Sequence, residues 1–223
     1  MILTTPYDYN EIDRVTLPNG IRHYTPPNSK PLPSVTTILS LTSDKSFLVT
    51  WRDNMGHEKA DAYVAESAAV GNKMHDNLEQ YVLRGTKPEG RMLERILTKA
   101  VIDKGLSKVD EVWGTETPLY CKDLFAGTTD LVGVHQGTPA IMDFKNSRKY
   151  KRREWVEDYF LQLAAYGLAH NEMYGTNIRK GVVMISCWTG HYIEYVIEGE
   201  EFDKYTTLWA ERVLQYYNHH HNK

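Results

Sequence analysis

Two aspartates and a lysine carry the strongest chemical signal in this chain. Asp130 closes the run Gly127-Thr-Thr-Asp130, and Asp143 and Lys145 lie in Ile141-Met-Asp143-Phe-Lys145. Between them stands His135-Gln136-Gly137-Thr138, with Leu131, Val132 and Val134 before it and Ala140, Ile141, Met142 and Phe144 after. Two apolar runs around a short Gly-containing link predict a β-hairpin. With Gln136 and Gly137 as the central turn residues, Asp130 falls directly opposite Asp143. Their Cβ atoms would then be about 5 Å apart on one face. Lys145, two residues on, shares that face, while Met142 and Phe144 point away into a core. A one-residue slip would separate the carboxylates. Pro139, which cannot donate to a ladder, is the weak point of this register.

Such a constellation suits phosphodiester chemistry. Like charges about 5 Å apart repel, so one carboxyl keeps a proton unless a cation sits between them. Carboxylate, water and phosphate oxygens are hard ligands suited to Mg²⁺ or Mn²⁺. A bound ion lowers the pKa of a water and polarises phosphorus, and an adjacent lysine orients that water and offsets transition-state charge. The competing reading is a surface hairpin with a Lys–Asp pair of little energetic weight, since Asp-x-Lys alone is a common triplet.

Three further groups bear on the choice. His75 belongs to a helical pattern, Val64, Ala68, Gly71, His75, Leu78 and Val82, whose spacing defines one buried face. Gly71 there would admit another backbone. An imidazole on that face is either a hydrogen-bonded core residue or a metal ligand. Gln162 and Tyr166, four apart, share a helix face that Trp155 and Tyr159 extend. An amide on an apolar face needs partners. Ser147 leads into Arg148-Lys149-Tyr150-Lys151-Arg152-Arg153, a basic run read either as a solvated loop or as a nucleic-acid clamp with Tyr150 stacking on a base.

The elements that must position these residues follow from pattern. Residues 1–33 contain six prolines and read as short strands and loops. Residues 34–106 read as mostly helical, broken near Gly85–Gly90, with Ser34 as a helix cap. Three strands are expected over 111–145, a helix over about 153–173, strands at 181–187 and 191–197, and a last amphipathic helix presenting Phe202, Tyr205, Trp209, Val213 and Tyr216. The expected fold is α/β, one domain over 1–223, with a mostly helical subregion to residue 110 and a catalytic α/β core over 111–223. His219-His220-His221 reads as a frayed end. The net charge of −3 confines any nucleic-acid contact to a local patch. Two cysteines make neither a disulfide framework nor a four-cysteine iron–sulfur cluster, and they fit a reducing cytoplasm, a host's if the chain is phage-encoded. No run is apolar and long enough to span a membrane, and the first residues match neither a signal nor a transit peptide.

These residues resemble the PD-(D/E)xK nuclease superfamily, and more closely its RecB-type exonuclease branch, which includes the mitochondrial genome-maintenance exonuclease and its phage relatives. The matching pieces are Gly127-Thr-Thr-Asp130, Ile141-Met-Asp143-Phe-Lys145-Asn-Ser147 and the Q-x-x-x-Y element Gln162-Leu-Ala-Ala-Tyr166. Looser matches are Gly71-Asn-Lys-Met-His75, Glu116 in Thr115-Glu-Thr-Pro-Leu119, and the stretch from Pro33 to Leu39 with Trp51. The likeness implies a restriction-endonuclease-like core, a central mixed β-sheet flanked by helices. It implies metal ligation by His75, Asp130, Asp143 and the Phe144 carbonyl, with Lys145 as catalytic lysine. Gln162 and Tyr166 would support the site or touch DNA, and Glu116 would be the acidic residue of the first core strand. The implied activity is Mg²⁺- or Mn²⁺-dependent DNA exonucleolysis from single-stranded or processed ends, leaving 5′-phosphates, in replication, recombination or repair. A structure-specific endonuclease, a non-cutting nucleic-acid-binding module, and an ion-pair network in which Asp143→Asn would lower stability are the alternatives.

Overall fold

The computed structural model describes residues 1–17 and 21–221, with the side chains of His220 and His221 outside the described part. Four short strands come first: β1 (Ile2–Leu3), β2 (Asp13–Thr16), β3 (Arg22–Thr25) and β4 (Leu32–Pro33). Four helices follow: α1 (Val35–Thr42), α2 (Ser46–Met55), α3 (His57–Arg84) and α4 (Met92–Lys104). The rest runs β5 (Val109–Cys121), β6 (Phe125–His135), β7 (Thr138–Ser147), α5 (Glu157–Tyr174), β8 (Lys180–Cys187), β9 (Tyr192–Glu198) and α6 (Glu200–His221).

One mixed sheet has the order β1-β5-β6-β7-β8-β9, parallel at β1/β5 and β7/β8 and antiparallel elsewhere. The N-terminal segment thus supplies an edge strand to the main sheet. A second, antiparallel sheet is built from β2, β3 and β4. Helices cover both faces of the main sheet. Val35 and Ile38 of α1, Phe160 and Leu163 of α5, and Phe202 and Trp209 of α6 form one core with Ile141, Val183 and Ile185. Val70, Met74 and Leu78 of α3 and Leu97 and Val101 of α4 form the other with Leu131, Met142, Phe144 and Met184. Burial on both sides explains the near-continuous apolar run of β8, buried at every position.

The β6–β7 register is the one read from the sequence, from His135 opposite Thr138 to Leu131 opposite Met142. Gln136 and Gly137 have φ of 49° and 77°, as a two-residue type I′ turn requires. Pro139 is harmless there. It faces Val134 next to the closing pair, and β8 pairing starts only at Ile141, so no ladder needs its missing N–H. Ser34 caps α1 by accepting from the Thr37 N–H at 3.0 Å.

Two readings are corrected. On α3 the apolar face is buried only from Gly71 onward. Val64 and Ala68 are exposed, because the first turns of the helix line a surface groove. Trp155 belongs to a 3₁₀ turn, Arg153–Trp155, ahead of α5 and stands 58% exposed, so it does not extend the Gln162 face.

Candidate metal centre

Beyond the Leu131–Met142 pair the hairpin ladder gives way to side chains. The Phe144 N–H donates to Asp130 Oδ2 at 2.6 Å. A carboxylate thus takes the place of a backbone acceptor. In a β-strand the N–H and C=O of one residue point to the same side, so the Phe144 carbonyl faces the same opening. Met142 and Phe144 pack under α3, and alternation puts Asp143 and Lys145 on the α5 face.

His75 reaches this opening from α3. Its Nδ1 lies 3.4 Å from Asp130 Oδ1, and its ring meets Phe144 edge-on at 6.2 Å. One turn earlier, Gly71 lets α3 settle. A Cβ there would stand 2.6 Å from Asn146 Nδ2. The neighbour is a side chain, where the sequence had suggested a backbone. Asn146 also donates to the Ser67 carbonyl at 3.3 Å and accepts from Trp188 Nε1 at 3.0 Å, tying helix to sheet.

Glu116 enters from β5. It lies between the pairs Thr115–Leu131 and Thr117–Thr129, in register with Asp130. Its φ is 47°, a left-handed conformation that costs about 1 kcal/mol or more for a non-glycine. His75, Glu116 and Asp130 each offer one ligand atom, all within 4.8 Å of one another. The centre therefore assembles from α3, β5 and β6.

The charges are mutually frustrated. Burial lowers the His75 pKa, but Asp130 outweighs it and raises it to about 9. Burial also raises Asp130, yet His75, Lys145 and the Phe144 N–H bring it below its ordinary value. Glu116 keeps an exposed surface. Even so, desolvation of its carboxyl and the nearby Asp130 push it up to about 7. Asp143 is 1% exposed. Its Oδ2 lies 2.6 Å from Lys145 Nζ, a close ion pair with angles outside those of a hydrogen bond. Among the described residues Oδ1 has no hydrogen-bond partner, and Oδ2 has only the Lys145 ammonium. Burial, offset in part by Lys145 and reinforced by Asp130, pushes its carboxyl up to about 6. Burial would lower Lys145, but Asp143 and Asp130 hold it well above its ordinary range. Its ammonium, 5.2 Å from the Tyr159 ring centre, stays protonated.

Of the expected ligands, His75 and Asp130 come together, Asp143 is engaged by Lys145 beside them, and Glu116 joins the cluster. Gln162 and Tyr166 are buried one turn apart on α5. The Tyr166 ring lies against Gly127, where a Cβ would stand 2.8 Å from its hydroxyl. This accounts for the glycine that opens Gly127-Thr-Thr-Asp130.

The basic run is not a single clamp. Arg148 is sandwiched at 4.0 Å between the Tyr63 and Trp188 rings and bonded to Ser67 and Glu66. Arg153 donates to Glu201 at 2.7 Å and to the Val196 carbonyl at 3.1 Å. Arg152 lies by Glu154 and Trp155, and Ser147 donates to the Lys149 carbonyl at 2.7 Å. Tyr150 is 51% exposed. Among the described residues Lys149 and Lys151 have no ion pair. Alternation cannot reveal which members of an irregular basic loop turn inward.

A cleft of about 880 Å³ opens over the cluster, lined by His75, Glu79, Glu116, Asp130, Gln162 and Tyr166 among others. Asn146 and Ala68 join it to a groove of about 640 Å³ bearing Phe47, Trp51, Tyr63, Lys149 and Lys151. Sequence reading missed Asn146, Glu79 and the cleft residues of the small sheet. Glu79 carried a signal, standing one helical turn after His75.

No protein family and no curated protein matches the chain. Among solved structures it is similar to SSO0001, at 16% identity and TM-score 0.45 over 83% of this chain and 75% of that one. It is also similar to a protein of Eubacterium rectale provisionally named an exonuclease, at 11% identity and TM-score 0.41 over 82% and 71%. At this level of likeness the chemistry rests on the site itself. Among the described residues no helix is long and apolar enough to cross a membrane.

Proposed function

We propose that this chain is a Mg²⁺- or Mn²⁺-dependent nuclease of the PD-(D/E)xK type that hydrolyses DNA phosphodiesters from free ends. The observation that carries this reading is the meeting of His75, Glu116 and Asp130 within 4.8 Å beside the Asp143–Lys145 pair. The residues fit a divalent cation. Asp143 is buried with one oxygen on Lys145 and the other without a partner among the described residues, and crowding pushes two carboxyls up to about 6 and about 7. A cation is the charge that relieves both. Oxygen donors suit Mg²⁺, and an imidazole among them tilts the choice toward Mn²⁺.

His75, Glu116 and Asp130 would hold the ion, with Asp143 and the Phe144 carbonyl alongside. When bound, it supplies positive charge to phosphate oxygens and acidifies a water. Lys145, paired with Asp143, would act as a hydrogen-bond donor and counter-charge to the transition state. The Gln162–Tyr166 pair is buried and holds the inner wall of the cleft. The adjoining groove, with aromatic rings and unpaired lysines, suits an unpaired strand. The α2–α3 wall beside the cleft is consistent with entry by a free end.

The test is digestion of end-labelled linear and circular single-stranded DNA in Mg²⁺, Mn²⁺ or EDTA, with wild type and Lys145→Ala. Metal-dependent loss of the linear strand alone, abolished by the substitution, is the expected result, and the label position gives polarity. Cutting of the circle would replace the exonuclease with an endonuclease. Binding without cutting would leave a binding module.

A further inference from the structure

The wall facing the carboxylates is cationic and comes from the small sheet. In the β2–β3 ladder Arg14 is opposite Tyr24 and Thr16 opposite Arg22. All four therefore share one face, with the two arginines as diagonal neighbours. Arg14, Arg22 and Tyr24 line the same cleft as His75 and Asp130. The sheet is anchored there. Tyr24 is 2% exposed, and its hydroxyl lies 3.3 Å from Thr128 Oγ1, two residues before Asp130. The Arg22 backbone is pinned as well. Its N–H donates to Thr37 Oγ1 at 3.2 Å, and its carbonyl accepts from that hydroxyl at 3.2 Å and from the Ser34 N–H at 3.0 Å. Among the described residues neither guanidinium takes part in an ion pair or hydrogen bond, although Asp76, Glu79 and Glu116 line the same space. Two unpaired guanidiniums on an anchored sheet, across from a cation-binding cluster, suit an anion with oxygens on several sides, as a phosphate has.

We propose that Arg14 and Arg22 form a phosphate subsite that grips the backbone of the strand bound in the cleft. This rests on the nuclease reading for its substrate. It assigns a binding role to a region whose sequence suggested only short strands and loops.

The test measures binding of a labelled 20-nucleotide single strand in Mn²⁺ across salt concentrations. The Lys145→Ala background limits cutting, and Arg14 and Arg22 are either retained or both changed to Ala. The double change is expected to weaken Kd about 10-fold at low salt. It should reduce the slope of log K against log salt by about 0.7, for the one phosphate held. Arg14→Lys with Arg22→Lys should keep most of the slope. With Lys145 restored, the double Ala change should raise KM with kcat within about 2-fold. Unchanged Kd and slope would overturn the subsite, as would failure of the parent protein to bind. Strands with a 5′-phosphate, a 3′-phosphate or neither separate the sources. Equal loss on all three assigns an internal diester, and loss confined to one assigns that terminal phosphate. If the wild type cuts nothing while the slope difference persists, the nuclease reading fails and the subsite stands. If the wild type cuts and the arginines change nothing, the subsite alone fails.

Discussion

At the turn end of the β6–β7 hairpin, Lys108 pairs with Glu194 at 2.9 Å, Tyr192 donates to the same carboxylate at 2.8 Å, and Lys180 donates to the His135 carbonyl at 3.0 Å. At the open end, Asp143 Oδ1 has no hydrogen-bond partner among the described residues, Glu116 adopts a left-handed backbone, and two carboxyls are pushed up toward neutrality. Both ends hold lysine, carboxylate and histidine. The first completes its pairings within the protein, apart from the His135 ring, which lies 3.8 Å from Glu194 and makes no hydrogen bond among the described residues. The second leaves its pairings open. Crowding of like charges, more than residue type, separates the candidate site from the structural network.

The comparison can be broken at either end. The largest expected effect is on turnover. Lys145→Ala should lower it by about 10³-fold or more, whereas Lys108→Ala at the other end should change it less than about 2-fold. Next is the coupling of metal to stability. Saturating Mn²⁺ at 100 times its Kd should stabilise the wild type by about 2.7 kcal/mol, read as a rise in melting temperature. Asp130→Asn should abolish that rise while Glu194→Gln keeps it.

Smaller and opposite effects are expected without metal. At pH 8 in EDTA, Asp143→Asn should stabilise by about 1 kcal/mol, because its surroundings disfavour the charge even with Lys145 present. Glu194→Gln should destabilise by about 1 kcal/mol, because it leaves Lys108 unpaired. Denaturant melts decide, and a loss for Asp143→Asn would mark the open end as a structural network after all. The smallest effect is on pH dependence. Burial holds the His135 imidazole below its ordinary pKa. Its stabilising share is then complete above about 6.5 and is lost as pH falls through the depressed value, since the unfolded chain binds the proton first. Burial shifts His170 the same way, to about 4, and it stays in both proteins. The shallower fall of a His135→Phe variant between pH 7 and 5 would therefore isolate His135.

Much of this was legible in the sequence where short-range rules apply. The Gln136-Gly137 turn and two alternating apolar runs set the hairpin register, and with it the places of Asp130, Asp143 and Lys145. The i, i+3, i+4 spacing placed His75 inward. Other features depend on long-range partners. Gly127 and Gly71 answer to Tyr166 and Asn146, which no local pattern names. Arg148 and Arg153 turn inward to rings and carboxylates from α3, β8–β9 and α6. The cationic wall needed the small sheet to fold back over β6, through the Tyr24–Thr128 contact.

His75 lies on α3 and Asp130 on β6, so the two meet only once helix and sheet have docked through Gly71 and Asn146. An ion held between them would bind only the docked arrangement. Such a ligand acts as a brake on escape from the native state. It should slow unfolding in proportion to its occupancy and leave the rate of folding almost untouched. The protein's lifetime against heat and proteolysis would then follow the metal supply of its surroundings.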